Sequence, residues 1–170
     1  MLAASHVVFG SGVYLLSSPW IGFDYPEVYY YLPVAMAASL IPDLDARHSV
    51  LKRFWLIRWL FLPLTLLGHR TWTHSLLILM VLATPLLYLQ GCACKAMLAF
   101  NIGYASHILG DWMTHRGVPL FYPAKTAFKS PFSFKSGSAI ELPWAMTPFF
   151  VMAGFYLFEI HHGLLQSWHW

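Results

Sequence analysis

Three side chains that can bind metal ions recur at intervals of four residues near the middle of the chain: His107, Asp111 and His115. On a helix, residues four apart lie on one face, so a helix that includes all three would align two imidazoles with a carboxylate. Mixed imidazole and carboxylate ligands suit Zn²⁺ first and Mn²⁺ second. The alternative is a helix that becomes polar where it leaves an apolar environment; the repeated spacing favours a metal site.

A second group of candidate ligands is acidic and lies in the segment 42–45, which reads Pro-Asp-Leu-Asp. In an extended stretch, residues two apart point the same way, so Asp43 and Asp45 could both face one site. The alternative is a solvated acidic turn after a helix. We expect Asp43 to be a metal ligand and Asp45 to act as a general base if it is not a ligand.

A third group lies in the segment 69–75, which reads His-Arg-Thr-Trp-Thr-His-Ser. His69 and His74 are candidate metal ligands, and Arg70 between them can bind a phosphate through two parallel hydrogen bonds. An ion pair between Arg70 and a nearby aspartate is an equal alternative. Thr73 can cap a helix that begins near His74.

Two single residues complete the candidate set. His6 is an isolated polar side chain in an apolar stretch, and we expect it to be a ligand, although a hydrogen-bonded interior histidine is the alternative. Glu141 precedes the last apolar segment and could close the site as a ligand or general base. Its alternative role is a favourable interaction with the N-terminus of the helix that follows.

The composition indicates which elements must position these residues. Of 170 residues, 58% are hydrophobic, 18% aromatic and only 10% charged. A soluble chain of this length buries only about two thirds of its surface, so it would need far more charge. The sequence therefore predicts an integral membrane protein and excludes an ordinary soluble globular domain.

Apolar segments at 2–16, 28–40, 76–89, 96–108 and 143–160 predict about five transmembrane helices. The segment 54–67 is interrupted by Arg58 and Pro63, and a crossing there would put Asp43 and His69 on opposite faces of the membrane. We therefore expect it to be a re-entrant or interfacial helix. The predicted fold is a single all-α domain, 1–170, built as an integral membrane helical bundle.

This arrangement puts His6, residues 43–75 and residues 107–142 at one membrane face. Nine of the ten Lys and Arg residues, all except Lys95, fall on that face. By the positive-inside rule the face is cytoplasmic. Both lines of argument therefore predict a multi-pass protein whose site faces the cytoplasm.

Taken together, these motifs resemble the YdjM-type family of bacterial inner-membrane, LexA-regulated proteins described as metal-dependent hydrolases. The resemblance rests on His6, the 42–45 and 69–75 segments, His107 with Asp111, and the segment 117–123, Gly-Val-Pro-Leu-Phe-Tyr-Pro. The family is distantly similar to zinc-dependent phospholipase C and P1 nuclease, helical enzymes with three zinc ions. The resemblance implies metal-ligand roles for Asp43, His69, His107 and Asp111, with Asp111 bridging two ions.

We therefore expect a zinc-dependent hydrolase of the bacterial inner membrane, holding two or three ions, that cleaves a phosphoester of a lipid or lipid-linked substrate. The alternatives are hydrolysis of an ester or amide with the same groups, and a non-catalytic metal-binding or transport protein. Membrane lipids are the expected partners, and no nucleic acid is expected. Lys125, Lys129 and Lys135 would form a positive rim for anionic head groups.

Overall fold

The computed structural model of the protein describes residues 1–23, 26–45, 72–124 and 126–161, except the side chains of residues 44, 45 and 159–161. The helices in these ranges are α1 (Ala3–Ser17), α2 (Glu27–Ala38), α3 (Leu76–Ala83), α4 (Gly91–Trp112), α5 (Glu141–Ala145) and α6 (Thr147–His161). Short 3-10 turns occupy Ser18–Ile21, Ile41–Asp45, Trp72–His74 and Thr84–Leu87. The all-α prediction is confirmed for this part of the chain, and each of the five predicted apolar segments overlaps a helix.

The predicted membrane arrangement has two parts, an interfacial helix and several membrane-spanning helices. The predicted interfacial helix at 54–67 lies outside the described residues. Among the helices that the structure does describe, none is both long enough and apolar enough to span a bilayer.

The centre of the fold is the packing of α1, α2 and α4 around buried side chains, namely Tyr14, Phe23, Val28, Ala35 and Ala99. α2 and α4 come so close that a Cβ added to Gly103 would lie 2.1 Å from the carbonyl oxygen of Ala35. Only glycine, which has no Cβ, fits where two helix backbones come this close. This contact places His107, one turn after Gly103, beside the C-terminal end of α2.

The first residues of α2 and α4 meet at the opposite end of the bundle. Lys95 forms an ion pair with Glu27 there, and the Tyr14 hydroxyl donates to the carbonyl of Val28 at 3.0 Å. The sequence predicts that Lys95 and the histidine clusters lie at opposite membrane faces. In the described residues, Lys95 lies near the first residue of α4 and His107 near its last, so the two are at opposite ends of the helices.

The segment 113–140 has little regular structure but is tied to the helices by backbone hydrogen bonds. Val118 and Phe128 exchange two such bonds, 2.9 and 2.8 Å long, and the Leu76 amide at the start of α3 donates to the Leu120 carbonyl at 2.9 Å. Gly117 has a φ of +65°, and a Cβ there would lie 2.4 Å from the Phe128 carbonyl oxygen. The loop therefore has a defined position next to the ends of α3 and α4.

The outer faces of α3 and α6 carry many large apolar side chains. None of the α3 side chains is buried among the described residues. The exposed hydrophobic residues of these two helices are Leu76, Leu77, Met80, Val81, Phe150, Val151, Phe155, Tyr156, Leu157 and Phe158. Large exposed apolar surfaces of this type mark contacts with lipid or with other proteins.

Candidate metal centre

The helix α4 carries two of the predicted ligands on one face. His107 and Asp111 are fully buried, and His107 Nε2 lies 3.9 Å from Asp111 Oδ2. The helix ends at Trp112 because Thr114 donates its amide and its hydroxyl to the Asp111 carbonyl, at 3.0 and 2.8 Å. His115 therefore lies beyond the helix, where its exposed ring contacts the Ser133 hydroxyl at 2.9 Å. The structure does not bring His115 to the other candidate ligands.

Asp43 reaches the same place from the end of α2. Its Oδ1 lies 3.6 Å from His107 Nε2 and 3.8 Å from His74 Nε2. The backbone of 41–45 is a 3-10 turn, so the expectation of an extended stretch there was wrong. A turn with three residues per revolution points residues two apart in different directions. The side chain of Asp45 is not among those described.

His74 is positioned by the 3-10 turn Trp72–His74 just before α3. The Tyr104 hydroxyl donates to the Thr73 carbonyl at 2.7 Å, and Thr73 Oγ1 lies 3.0 Å from His74 Nδ1. The cap of α3 is Ser75, which accepts from the Ile78 amide at 3.4 Å, so the expected Thr73 cap was wrong. Sequence reasoning missed Tyr104, although it lies three residues before His107 and hence on the same helix face.

His6 joins the group from α1. Its ring stacks on that of His107 with centroids 3.7 Å apart, and its Nε2 lies 3.4 Å from Asp111 Oδ1 and 4.0 Å from Asp43 Oδ2. Three imidazoles and two carboxylates from different parts of the chain therefore meet in one cluster. Four of these residues, Asp43, His74, His107 and Asp111, have ligand atoms that all lie within 4.8 Å of one another.

The two carboxylates divide this cluster into two adjoining subsites. Asp43 Oδ1 and Asp111 Oδ2 face the pair His74 and His107, at distances of 3.6 to 3.9 Å. The other oxygen of each carboxylate faces His6. Each aspartate thus presents one oxygen to each side, as a carboxylate that bridges two ions would.

The separations between ligand atoms fit a metal ion better than they fit direct hydrogen bonds. Tetrahedral zinc with Zn–N near 2.0–2.1 Å has ligand atoms about 3.3 Å apart, whereas hydrogen bonds require about 2.7–3.2 Å. The His–Asp distances of 3.4 to 4.0 Å are on the zinc side of that division. A modest contraction around an ion would bring the atoms to coordination distance.

The ring nitrogens are arranged in the same sense. His107 Nδ1 lies 2.6 Å from the Ser39 carbonyl oxygen, which can only accept, so Nδ1 carries a proton and Nε2 is the ring nitrogen that faces the cluster. Within the described residues, His107 Nε2 and both ring nitrogens of His6 make no hydrogen bond. Buried polar atoms without partners are costly. A bound ion would satisfy them, so the residues present fit a divalent metal.

Asp43 is the carboxylate at the open side of the cluster. Burial by itself raises the pKa of Asp43, but the neighbouring imidazoles, His107 first and then His6, lower it by more, and the net pKa lies well below its usual range. Asp43 is also the only one of the five residues whose side chain is substantially exposed, at 27%. It therefore stands ionised where the cluster opens outward.

The N-terminus lies against one side of the cluster. The Met1 ammonium donates to Asp111 Oδ1 at 2.5 Å, and the Leu2 amide donates to Glu141 Oε1 at the same distance. The second oxygen of Glu141 accepts from the Gly137 amide at 2.5 Å. Burial raises the pKa of Glu141, but these two amides lower it to a net value below the usual range. Glu141 thus holds backbone segments together, and it is not among the clustered ligand atoms.

The remaining sequence candidates, His69 and Arg70, lie outside the described residues. Among the residues that the structure does describe, the predicted set is therefore reduced to His6, Asp43, His74, His107 and Asp111 in the cluster. Glu141 instead accepts a hydrogen bond from the N-terminal residue Leu2, and His115 is on the surface.

Fold and site together define a helical protein with a buried histidine and aspartate cluster able to hold metal. The family model described as YdjM inner membrane protein matches residues 1–165, and the chain belongs to that family. Inner membrane protein YdjM of Escherichia coli (strain K12) is 36% identical over 108 residues, which cover 61% of this chain and 54% of that protein. The Shigella flexneri protein of the same name matches equally, so the match spans about half the length of both relatives.

A match of fuller length is to uncharacterized protein YvsG of Bacillus subtilis (strain 168), which is 29% identical over 169 residues. This match covers 96% of the chain and 98% of that protein. No solved structure matches the chain. The comparisons therefore establish the family and its description as inner membrane proteins, and the resemblance seen in the sequence motifs is confirmed.

Proposed function

We propose that the protein is a zinc-dependent hydrolase that cleaves a phosphoester in a lipid or lipid-linked substrate at the cytoplasmic surface of the inner membrane. The observation that carries this proposal is the cluster of three imidazoles and two carboxylates, with each carboxylate shared between two subsites. Three imidazoles favour zinc over magnesium or calcium, which prefer all-oxygen ligands.

One subsite would consist of His74 and His107 with one oxygen from each aspartate, and the other of His6 with the remaining oxygens. Divalent ions held there would polarise a phosphoryl oxygen and supply hydroxide at neutral pH. His107 is held in the correct tautomer by the Ser39 carbonyl, so it can present Nε2 without rearrangement.

Asp43 lies on the accessible side of the cluster. Because the other four cluster residues are buried and Asp43 is partly exposed, a substrate phosphoryl group would approach past Asp43. Arg70 and Asp45 enter the proposal from the sequence alone, as the phosphate-binding cation and the general base. The apolar faces of α3 and α6 and the inner-membrane description of the relatives support a substrate drawn from the bilayer.

The first part of the test is metal content. Protein purified in detergent without chelator should hold about two zinc or manganese ions per chain by elemental analysis. His107→Ala should lose most of this metal, because a cluster ligand is removed. His115→Ala is the matched control, since that histidine is exposed and outside the cluster. Less than one ion per chain in the unaltered protein would refute the metal centre.

The second part is turnover by metal-loaded protein on phospholipids, lysolipids and polyprenyl phosphates. We expect release of phosphate or a phosphorylated head group by the unaltered protein and by His115→Ala, and none by Asp111→Asn, which lacks a ligand charge. Metal without phosphoester cleavage would refute the phosphoesterase proposal. Fatty-acid release in the same samples would then indicate an ester or amide hydrolase. Release of neither phosphate nor fatty acid would indicate a non-catalytic metal-binding protein.

A further inference from the structure

The loop that follows α4 exposes an aromatic side chain between two lysines. We call residues 129–135, Lys-Ser-Pro-Phe-Ser-Phe-Lys, the loop tip. Phe132 at its centre is 85% exposed, whereas the neighbouring Ser130 and Phe134 are buried. A large apolar side chain held outward between buried neighbours is an unfavourable arrangement in water.

The position of the loop tip is fixed by the end of α4. The Ser130 amide donates to the Trp112 carbonyl at 2.9 Å, and the Phe134 amide donates to the Met113 carbonyl at 3.0 Å. The Ser130 hydroxyl accepts from the Phe132 amide at 3.2 Å, which stabilises the turn between these anchors. The loop tip is therefore tied to the two residues that directly follow the candidate ligand Asp111.

The surroundings of the loop tip are apolar and cationic. Phe121 and Ile140 in the same connection are also more than half exposed, as is Leu142 in α5 directly after it. Residues 112–140 contain no Asp or Glu at all, and the nearest acid, Glu141, is buried with its charge on backbone amides. The exposed charges of the loop are therefore positive.

The loop also lies where an apolar helix begins. The Leu76 amide at the first residue of α3 donates to the loop carbonyl of Leu120, and the outward side chains of α3 are apolar. In an inner membrane protein, the end of such a helix face is the level of the lipid head groups. Aromatic side chains favour this level, and lysines beside them pair with anionic head groups.

From these observations we propose that the loop tip inserts Phe132 into the interfacial region of an anionic bilayer, with Lys129 and Lys135 on the lipid phosphates. The contact would hold the end of α4, and with it the opening at Asp43, against the membrane surface. This inference goes beyond the proposed hydrolysis and does not depend on it, because membrane contact can be measured without turnover.

The test places a fluorescent probe at the loop tip. In a Cys92→Ser/Cys94→Ser background, Phe132→Cys is labelled with an environment-sensitive dye, and the protein is reconstituted in phosphatidylcholine nanodiscs with or without phosphatidylglycerol. Ser136→Cys is the matched control, because Ser136 is exposed in the same loop but beyond the second lysine. Spin-labelled lipid quenches probes in the bilayer, and aqueous iodide quenches probes in water.

We expect lipid quenching at residue 132, iodide quenching at residue 136, and stronger lipid quenching with phosphatidylglycerol. Replacing Lys129 and Lys135 by Gln should lower the ratio of inserted to exposed probe about fivefold for each lysine in anionic discs, from about 1 kcal/mol per charge. It should have little effect in neutral discs. Equal iodide access at both positions, with no lipid quenching at 132, would overturn the proposal and leave the loop tip as a surface for another partner. Unchanged unfolding temperatures establish that each labelled variant is folded.

Discussion

Replacing Gly103 by alanine tests the claim that the close approach of α2 and α4 assembles the metal centre. The new Cβ would lie 2.1 Å from the Ala35 carbonyl oxygen and 2.9 Å from the Ala35 Cα. Carbon and carbonyl oxygen in contact are about 3.3 Å apart or more, so the helices must separate by about 1 Å. Backbone atoms cannot rotate away as a side chain would, and the helices themselves must move.

The cost can be worked out from three contributions. Overpacking costs about 1–3 kcal/mol, and replacing glycine by alanine in a helix returns about 1 kcal/mol. A separation of about 1 Å would also stretch the bond from His107 Nδ1 to the Ser39 carbonyl beyond hydrogen-bonding range from its present 2.6 Å. Losing that bond costs about 0.5–1.5 kcal/mol, so the net destabilisation should be about 0.5–3.5 kcal/mol.

The chain contains a matched control for this substitution. Gly154 lies in α6, and a Cβ there would meet nothing within 4 Å. Gly154→Ala should therefore leave stability unchanged or raise it by up to about 1 kcal/mol. Each kcal/mol corresponds to about 2–4 °C in unfolding temperature for a chain of this size.

The assay is thermal unfolding of the two detergent-purified variants, together with their zinc content. Gly103→Ala should unfold several degrees below Gly154→Ala and bind zinc more weakly, because His107 and Asp43 lie on opposite sides of the widened contact. If Gly103→Ala unfolds at or above the temperature of Gly154→Ala and keeps its zinc, the reasoning from helix proximity is refuted.

Two further predictions concern residues that support the cluster. The two amide partners of Glu141 lower its pKa. The stabilisation that the ionised side chain provides is therefore present above its unfolded pKa of about 4.3 and is lost as pH falls through the lower folded value. Glu141→Gln should unfold at a lower temperature than the unaltered protein at pH 7, with a difference that narrows in acid; a difference in unfolding temperature that does not change with pH would contradict this. Thr73→Val removes the hydroxyl beside His74 Nδ1 and should weaken zinc binding about tenfold, whereas Thr84→Val, at an exposed hydroxyl, should not; equal zinc affinity in the two would contradict this second prediction.

The sequence could predict the helices and most of the cluster because the signals are local. Apolar run length located the helices of the described residues approximately, and four-residue spacing placed His107 and Asp111 on one face. Where a helix stops is decided by short-range competition for carbonyls, and for this reason His115 was expected on a helix that Thr114 in fact terminates. Assigning the 42–45 backbone as extended failed for a similar reason, since the turn continues from the end of α2.

Other parts of the site depend on tertiary contacts that carry no local pattern. The role of the Ser39 carbonyl cannot be recognised from the sequence, because every residue has a carbonyl and only the packing of α2 on α4 selects this one. Glu141 is a second example. Its position before a helix left open a role as ligand or general base and an interaction with the helix N-terminus, and no sequence pattern indicates that Leu2, far along the chain, donates its amide to one of the Glu141 oxygens.

The bond between Leu2 and Glu141 joins residues 139 positions apart, and this has a consequence for biosynthesis. Ribosomes add about 5–20 residues per second, so about 7–28 seconds pass between the synthesis of Leu2 and the synthesis of its partner Glu141. The four residues with clustered ligand atoms, Asp43, His74, His107 and Asp111, all precede Glu141 in the chain. The site that we propose binds metal can therefore take up an ion before the N-terminus is anchored beside it.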